Sequence, residues 1–155
     1  MTAETVIEIL LVEDNPNDVE LTLRAFKRSK LANTIHVARD GAEALAYLLP
    51  EPGSPRLRSE RVPRLVLLDL KLPKVDGIEV LRRIRADPRT RKIPVVVLTS
   101  SREERDLVAT YDLGVNSYIV KPVDFEQFNE CVQMLGKYWL LVNEPPPTST
   151  SPEIT

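Results

Sequence analysis

Five short aliphatic runs, each followed by a stretch of helical spacing, constrain the fold of this chain more than any other feature. Val6 to Val12 is the first, rich in Ile, Leu and Val, with Glu8 its only interruption. Thr34 to Ala38 is the second, Leu65 to Leu68 the third and Val95 to Leu98 the fourth. Ser117 to Val120 is the fifth and least apolar. Continuous aliphatic runs of this length suit strands covered on both faces, as in a parallel sheet. Helix-start signals lie between them. Asn15 can cap a helix that has Pro16 at its first position and Asp18 as favourable charge in its first turn. Asp40 with Glu43, Asp76 with Glu79, Ser101 with Glu104 and Asp124 with Gln127 have the spacing of capping boxes. Apolar spacing then predicts helices over about 16–30, 41–49, 77–86, 102–112 and 125–142. Five alternating strand–helix pairs predict a doubly wound α/β domain with right-handed crossovers and helices on both faces.

Composition narrows the function. A chain of 155 residues, 43% hydrophobic and 28% charged, suits one compact globule. Its 21 Lys and Arg against 23 Asp and Glu leave a net charge of -2, and the pI is about 5.6. That balance argues against bulk attraction to nucleic acid or to an anionic membrane. The single cysteine, Cys131, cannot form an internal disulfide or, alone, a structural zinc site, and its apolar-periodic surroundings predict buried packing. The opening Met-Thr-Ala-Glu-Thr has no signal-peptide character, and no apolar run approaches the ~20 residues that span a bilayer. A cytoplasmic location is expected. Pro50 to Arg64 is a Pro- and Arg-rich connection, expected to be a surface insertion rather than a partner-binding loop. A domain over 1–142 and a disordered tail over 143–155, with Pro145, Pro146, Pro147 and Pro152 among Ser and Thr, complete the expected organisation.

In an open α/β sheet, ligands bind beyond the carboxyl ends of the strands. The first strand ends in Glu13 and Asp14, the third in Asp69, the fourth in Thr99 and Ser100, and the fifth in Lys121 followed by Pro122. Taken singly, each is an ordinary turn, cap or surface residue; the joint pattern is far more specific. Three carboxylates in one pocket repel each other, two unit charges at about 4 Å by ~4 kcal/mol at an effective dielectric of 20. A hard, oxygen-preferring cation relieves that repulsion, and Mg²⁺ is the natural candidate. Asp69 is then a plausible nucleophile toward phosphorus, giving an aspartyl-phosphate. Lys121 can offer its ammonium, and Thr99 its hydroxyl, to the phosphoryl oxygens.

These residues resemble the receiver domain of bacterial response regulators. Leu10 to Asn15 (LLVEDN) resembles the family's opening strand and acidic pair, and Leu67 to Gly77 (LLDLKLPKVDG) its phosphoacceptor strand and following loop. Pro94 to Ser100 (PVVVLTS) is similar to the switch-threonine strand, and Tyr118 to Pro122 (YIVKP) to the lysine–proline segment. The match covers about residues 6–135. It implies a flavodoxin-like, five-stranded parallel sheet of order 2-1-3-4-5 with five helices. It also implies Asp69 as phosphoacceptor, with Mg²⁺ on Asp14, Asp69 and the Lys71 backbone carbonyl, and Glu13 acting largely through water. Lys121 and Thr99 would hold the phosphoryl group, Tyr118 would change rotamer with Thr99, and the Lys121–Pro122 bond would be cis. Within the family, the long 50–64 connection, the Lys137-Tyr138-Trp139-Leu140 segment and the lack of an output domain resemble single-domain regulators that pair with phytochrome-type histidine kinases. That likeness implies a sensor histidine kinase as partner.

The final helical pattern carries Phe125, Phe128, Val132, Leu135, Trp139 and Val142 at spacings of three and four. The first four are expected on the core face. About 18 helical residues span ~27 Å, whereas a five-residue strand covers only ~17 Å, so the last turns should overhang the sheet. Tyr138, Trp139, Leu140, Leu141 and Val142 would form an exposed apolar patch there, and a homodimer is expected through it.

Other functional classes fit less well. A phosphatase working through an aspartyl-phosphate commonly has a second Asp two residues after the nucleophile, where this chain has Lys71. A flavin-binding protein of the same topology would need a phosphate loop after the first strand, yet Glu13 to Asp18 is acidic and lacks glycine. A non-phosphorylated receiver-like docking module is the remaining alternative, and the complete set of site residues argues against it.

Overall fold

All five aliphatic runs become strands in the computed structural model, which describes residues 9–29, 34–49, 62–144 and 146. They are β1 (Ile9–Val12), β2 (Ile35–Ala38), β3 (Leu65–Leu68), β4 (Val95–Thr99) and β5 (Ser117–Val120), in one parallel sheet of order β2-β1-β3-β4-β5. The helices are α1 (Pro16–Ser29), α2 (Gly41–Leu48), α3 (Gly77–Ala86), α4 (Glu104–Asp112) and α5 (Phe125–Gly136), the last continued by a π-helical segment, Lys137–Val142. Strand alternation splits the aliphatic residues into two cores. Leu10, Val12, Val66, Leu68, Val95 and Val97 pack with α2 and α3 on one face. Ile9, Leu11, Leu65, Leu67, Val96 and Leu98 pack with α1 and α5 on the other. The 50–64 connection up to residue 61, the start of the first run, and most of the 143–155 tail lie outside the described residues.

The caps explain where most helices begin. Asn15 Oδ1 accepts from the amides of Asn17 and Asp18, at 2.9 and 3.2 Å. Asp40 Oδ1 accepts from Glu43 N at 2.7 Å while Glu43 Oε1 accepts from Arg39 N, the residue before the cap, a variant of the capping box. Asp76 and Asp124 cap α3 and α5 in the same manner, each accepting the amide three residues on at 3.0 Å.

Five expectations need correction. Ser101 does not cap α4: its hydroxyl donates to buried Asp106 Oδ2 at 2.5 Å, and α4 starts without a side-chain cap. Phe125, at the first turn of α5, is 48% exposed, because that turn precedes the stretch lying on the sheet. Leu140 is buried, not part of an exposed patch. The cause is winding: Asn143 N donates to Tyr138 O at 2.7 Å, a five-residue span, so Leu140 rather than Trp139 follows Leu135 onto the core. Cys131 is half-buried rather than fully packed. Finally, no described peptide bond is cis, that before Pro122 included; the trans form is the ordinary preference of an X–Pro bond.

Candidate functional site

Strand register assembles the site. Val12 lies opposite Leu68, Leu68 opposite Val97, and Thr99 opposite Val120. The next residue along three of these strands is therefore polar and falls on one edge: Glu13, Asp69 and Lys121, with Thr99 ending β4 beside them. Carboxylate oxygens of Glu13, Asp14 and Asp69 all come within 4.8 Å of one another. Glu13, Asp69 and Thr99 are buried, while Asp14 faces solvent.

Lys121 bridges the cluster. Its ammonium donates to Glu13 Oε1 at 2.8 Å, to Asp18 Oδ2 at 2.7 Å and to Asp69 Oδ2 at 3.3 Å. Burial opposes the charge on Lys121, but the bonds to Asp18 and Glu13 outweigh it and hold the ammonium above its usual range. Burial likewise raises Glu13, with the Asp69 charge adding to it and the Lys121 bond only partly offsetting it, so its carboxyl is pushed up to about 7. Glu13 Oε2 also accepts from Asn15 N at 3.1 Å. Asp69 Oδ1 accepts from Lys71 N at 3.3 Å, which orients the carboxylate along the loop after β3.

That loop is held tightly. A Cβ on Gly77 would lie 2.4 Å from the Asp69 carbonyl oxygen and 2.5 Å from Leu70 Cα. One on Gly41 would lie 1.8 Å from the Val75 carbonyl oxygen. Glycine at these positions lets α3 start against Asp69 and lets α2 press on the loop. Lys74 takes a positive φ of 69° at the turn, and its ammonium lies 3.5 Å from Asp40. On the far side, Thr99 Oγ1 accepts from Ser101 N at 3.4 Å, and the Tyr118 hydroxyl donates to the Ser101 carbonyl at 3.0 Å. Thr99 and Tyr118 thus both touch the β4–α4 loop, with half-buried Tyr118 reaching it from β5.

Of the residues singled out in the sequence, Glu13, Asp14, Asp69, Thr99 and Lys121 gather at this edge, Lys71 joins through its amide, and Tyr118 stands behind Thr99. Tyr138 and Val142 lie elsewhere, exposed on the π-helical segment, where Trp139 packs partly against the core. Two participants are not marked as site residues by sequence pattern: Asp18, whose position reads as a helix-terminal charge, and Asp106, the partner of Ser101.

The donor set suits a hard divalent cation. All three clustered side chains offer carboxylate oxygens, two of them buried, and no soft ligand lies among them.

Comparison with known proteins follows the same line. Residues 9–133 match the family model described as the response regulator receiver domain. This chain belongs to the receiver-domain family of response regulators. A probable methanogenesis regulatory protein, FilR2, of Methanothrix harundinacea is 47% identical over 146 residues, 94% of this chain and 92% of that protein. The crystal structure of the phosphorylated cyanobacterial phytochrome response regulator RcpA superposes with a TM-score of 0.83 at 41% identity, covering 92% of this chain and all of that one. The bacteriophytochrome response regulator RtBRR is 55% identical, with a TM-score of 0.68, over 94% of this chain and 87% of the other. The receiver fold, its strand order and its likeness to phytochrome response regulators are thereby established for this chain.

Proposed function

We propose that this receiver signals by carrying a phosphoryl group on Asp69, delivered by a phytochrome-type sensor histidine kinase. One observation carries the reading: a half-buried Lys121 ammonium reaches across the sheet edge to both Asp69 and Glu13. A fold gains little from burying several carboxylates around one cation unless the group is used. In the transfer, an Asp69 carboxylate oxygen forms a bond to phosphorus, the bond from phosphorus to the kinase imidazole nitrogen breaks, and that nitrogen keeps the electron pair. Asp14 and Asp69 would hold Mg²⁺ directly, with the Lys71 carbonyl, and Glu13 would act largely through water. When bound, the ion supplies charge neutralisation at the phosphoryl oxygens. Lys121 then pairs with one phosphoryl oxygen, and the Thr99 hydroxyl donates to another. Withdrawal of Thr99 from Ser101 leaves room for Tyr118 to follow, which couples the site to the β4–α4 loop.

The partner assignment rests on the likeness to the two phytochrome regulators. The same reading locates the protein in the cytoplasm, where such a kinase domain would meet it; among the described residues no helix is long and apolar enough to cross a membrane. Output through a homodimer is supported by an apolar cavity of about 460 Å³ beside the open edge of β5, with Met134, Leu135, Tyr138 and Trp139 among its lining residues. Leu141 and Val142 of the π-helical segment are exposed as well.

The test is phosphotransfer from an autophosphorylated phytochrome kinase carrying labelled phosphate. Label should pass to the native chain within minutes and not to Asp69→Asn. Equal labelling of the variant would move the acceptor elsewhere, and no labelling by phytochrome kinases alongside labelling by other kinases would remove the partner.

A further inference from the structure

Asp18 is the fourth carboxylate at the site, and no part of the phosphoacceptor scheme uses it. It sits in the first turn of α1, where Asn15 Oδ1 accepts from its amide at 3.2 Å and its own carbonyl accepts from the Thr22 hydroxyl at 2.7 Å. Thr22 is itself buried, so the backbone that presents Asp18 is fixed from both sides. From there its Oδ2 takes the shortest of the three Lys121 hydrogen bonds, 2.7 Å against 2.8 Å to Glu13 and 3.3 Å to Asp69. An ammonium has three protons, and here three carboxylate oxygens lie within hydrogen-bonding distance of it. Lys121 is saturated, and its longest bond is the one to the phosphoacceptor.

From this geometry we infer that Asp18 is a positioning residue that restrains Lys121 toward α1, so that a phosphoryl group on Asp69 must compete with Asp18 for the ammonium. The inference rests on the phosphoacceptor reading of Asp69. The helix-terminal role of Asp18 does not account for the contact, because favourable interaction with the α1 amides needs only a nearby carboxylate, not one bonded to Lys121. Charge works in the same direction. A carboxylate held 2.7 Å from the ammonium damps the field that the phosphoryl oxygens meet, and it adds repulsion of its own. Asp18 therefore shortens the occupancy of the phosphorylated state, at a position outside the nucleophile and the clustered carboxylates.

Neutralising Asp18 without changing its shape separates the two roles. Beryllofluoride with Mg²⁺, a phosphoryl mimic, is titrated into the native chain and into Asp18→Asn, read by fluorine NMR. The restraint predicts tighter binding in the variant, by roughly three- to tenfold, and Asp18→Glu should restore most of the native value. A purely structural role predicts lower thermal stability with unchanged or weaker beryllofluoride binding, and that result would overturn the inference. Failure of the native chain itself to bind beryllofluoride would instead strike the phosphoacceptor reading.

Discussion

Glu13 lies buried beside Asp69, and its carboxyl is raised from 4.5 to about 7, first by burial. The folded protein thus holds this proton more tightly than the unfolded chain. Its contribution to stability is complete below pH 4.5, declines as pH rises toward 7, and is gone above that value. In the presence of a chelator, the urea midpoint should therefore fall between about pH 5 and about pH 7.5. Glu13→Gln, which cannot titrate, should flatten that slope. The same proton competes with Mg²⁺, so cation affinity should be weaker on the acid side of 7 and binding there should release protons, which calorimetry in two buffers detects. Gly77 offers a second residue-scale test. Gly77→Ala would drive a methyl to 2.4 Å from the Asp69 carbonyl oxygen. Overpacking of this kind should cost about 2 kcal/mol in denaturant unfolding and shift the phosphoacceptor. The strand-end residues are legible in the sequence because an aliphatic run that stops at a polar residue marks its own end. Asp18 is not, because local spacing shows only a first-turn charge, and its partner Lys121 stands 103 residues away.

At the scale of elements, the α5 extension shows what helical spacing can and cannot reveal. Alternating steps of three and four place Trp139 after Leu135, as an α-helix would. The π-helical segment inserts a step of five instead, buries Leu140 and leaves Leu141 65% exposed. Leu140→Ala should cost about 2–4 kcal/mol, whereas Leu141→Ala should stay within about 0.5 kcal/mol, as urea titrations of the two variants would show. Equal costs would mean that the segment winds as an ordinary α-helix. A second tie between elements also lies beyond sequence pattern. The Arg85 guanidinium on α3 donates to the carbonyls of Arg91, Ile93 and Gly114 and to Asn116 Oδ1, and that same oxygen accepts Val95 N at 2.8 Å. Asn116→Ala would leave the β4 amide without its partner and should cost about 1–3 kcal/mol. No helical or strand periodicity marks either residue, since an exposed-looking arginine in a last helical turn reads as dipole compensation.

For the whole molecule, the alternation of strands and helices carries the parallel sheet and the two cores, because strands covered on both faces suit a doubly wound domain, whereas the strand order is what the family resemblance implies. The exposed surface beside β5 is less constrained by pattern, and the proposed homodimer is placed there. Tyr138→Asp together with Val142→Asp should abolish dimers in sedimentation while leaving phosphorylation intact; monomers throughout, in both phosphorylation states of the native chain, would end the dimer reading. Everything else depends on Asp69 accepting a phosphoryl group. The most direct measurement is the intact mass after incubation with acetyl phosphate and Mg²⁺, run beside Asp69→Asn. The native chain should gain one phosphoryl mass only when Mg²⁺ is present, and the variant none. No gain under conditions that modify another receiver would contradict the account and favour a docking module that is never phosphorylated.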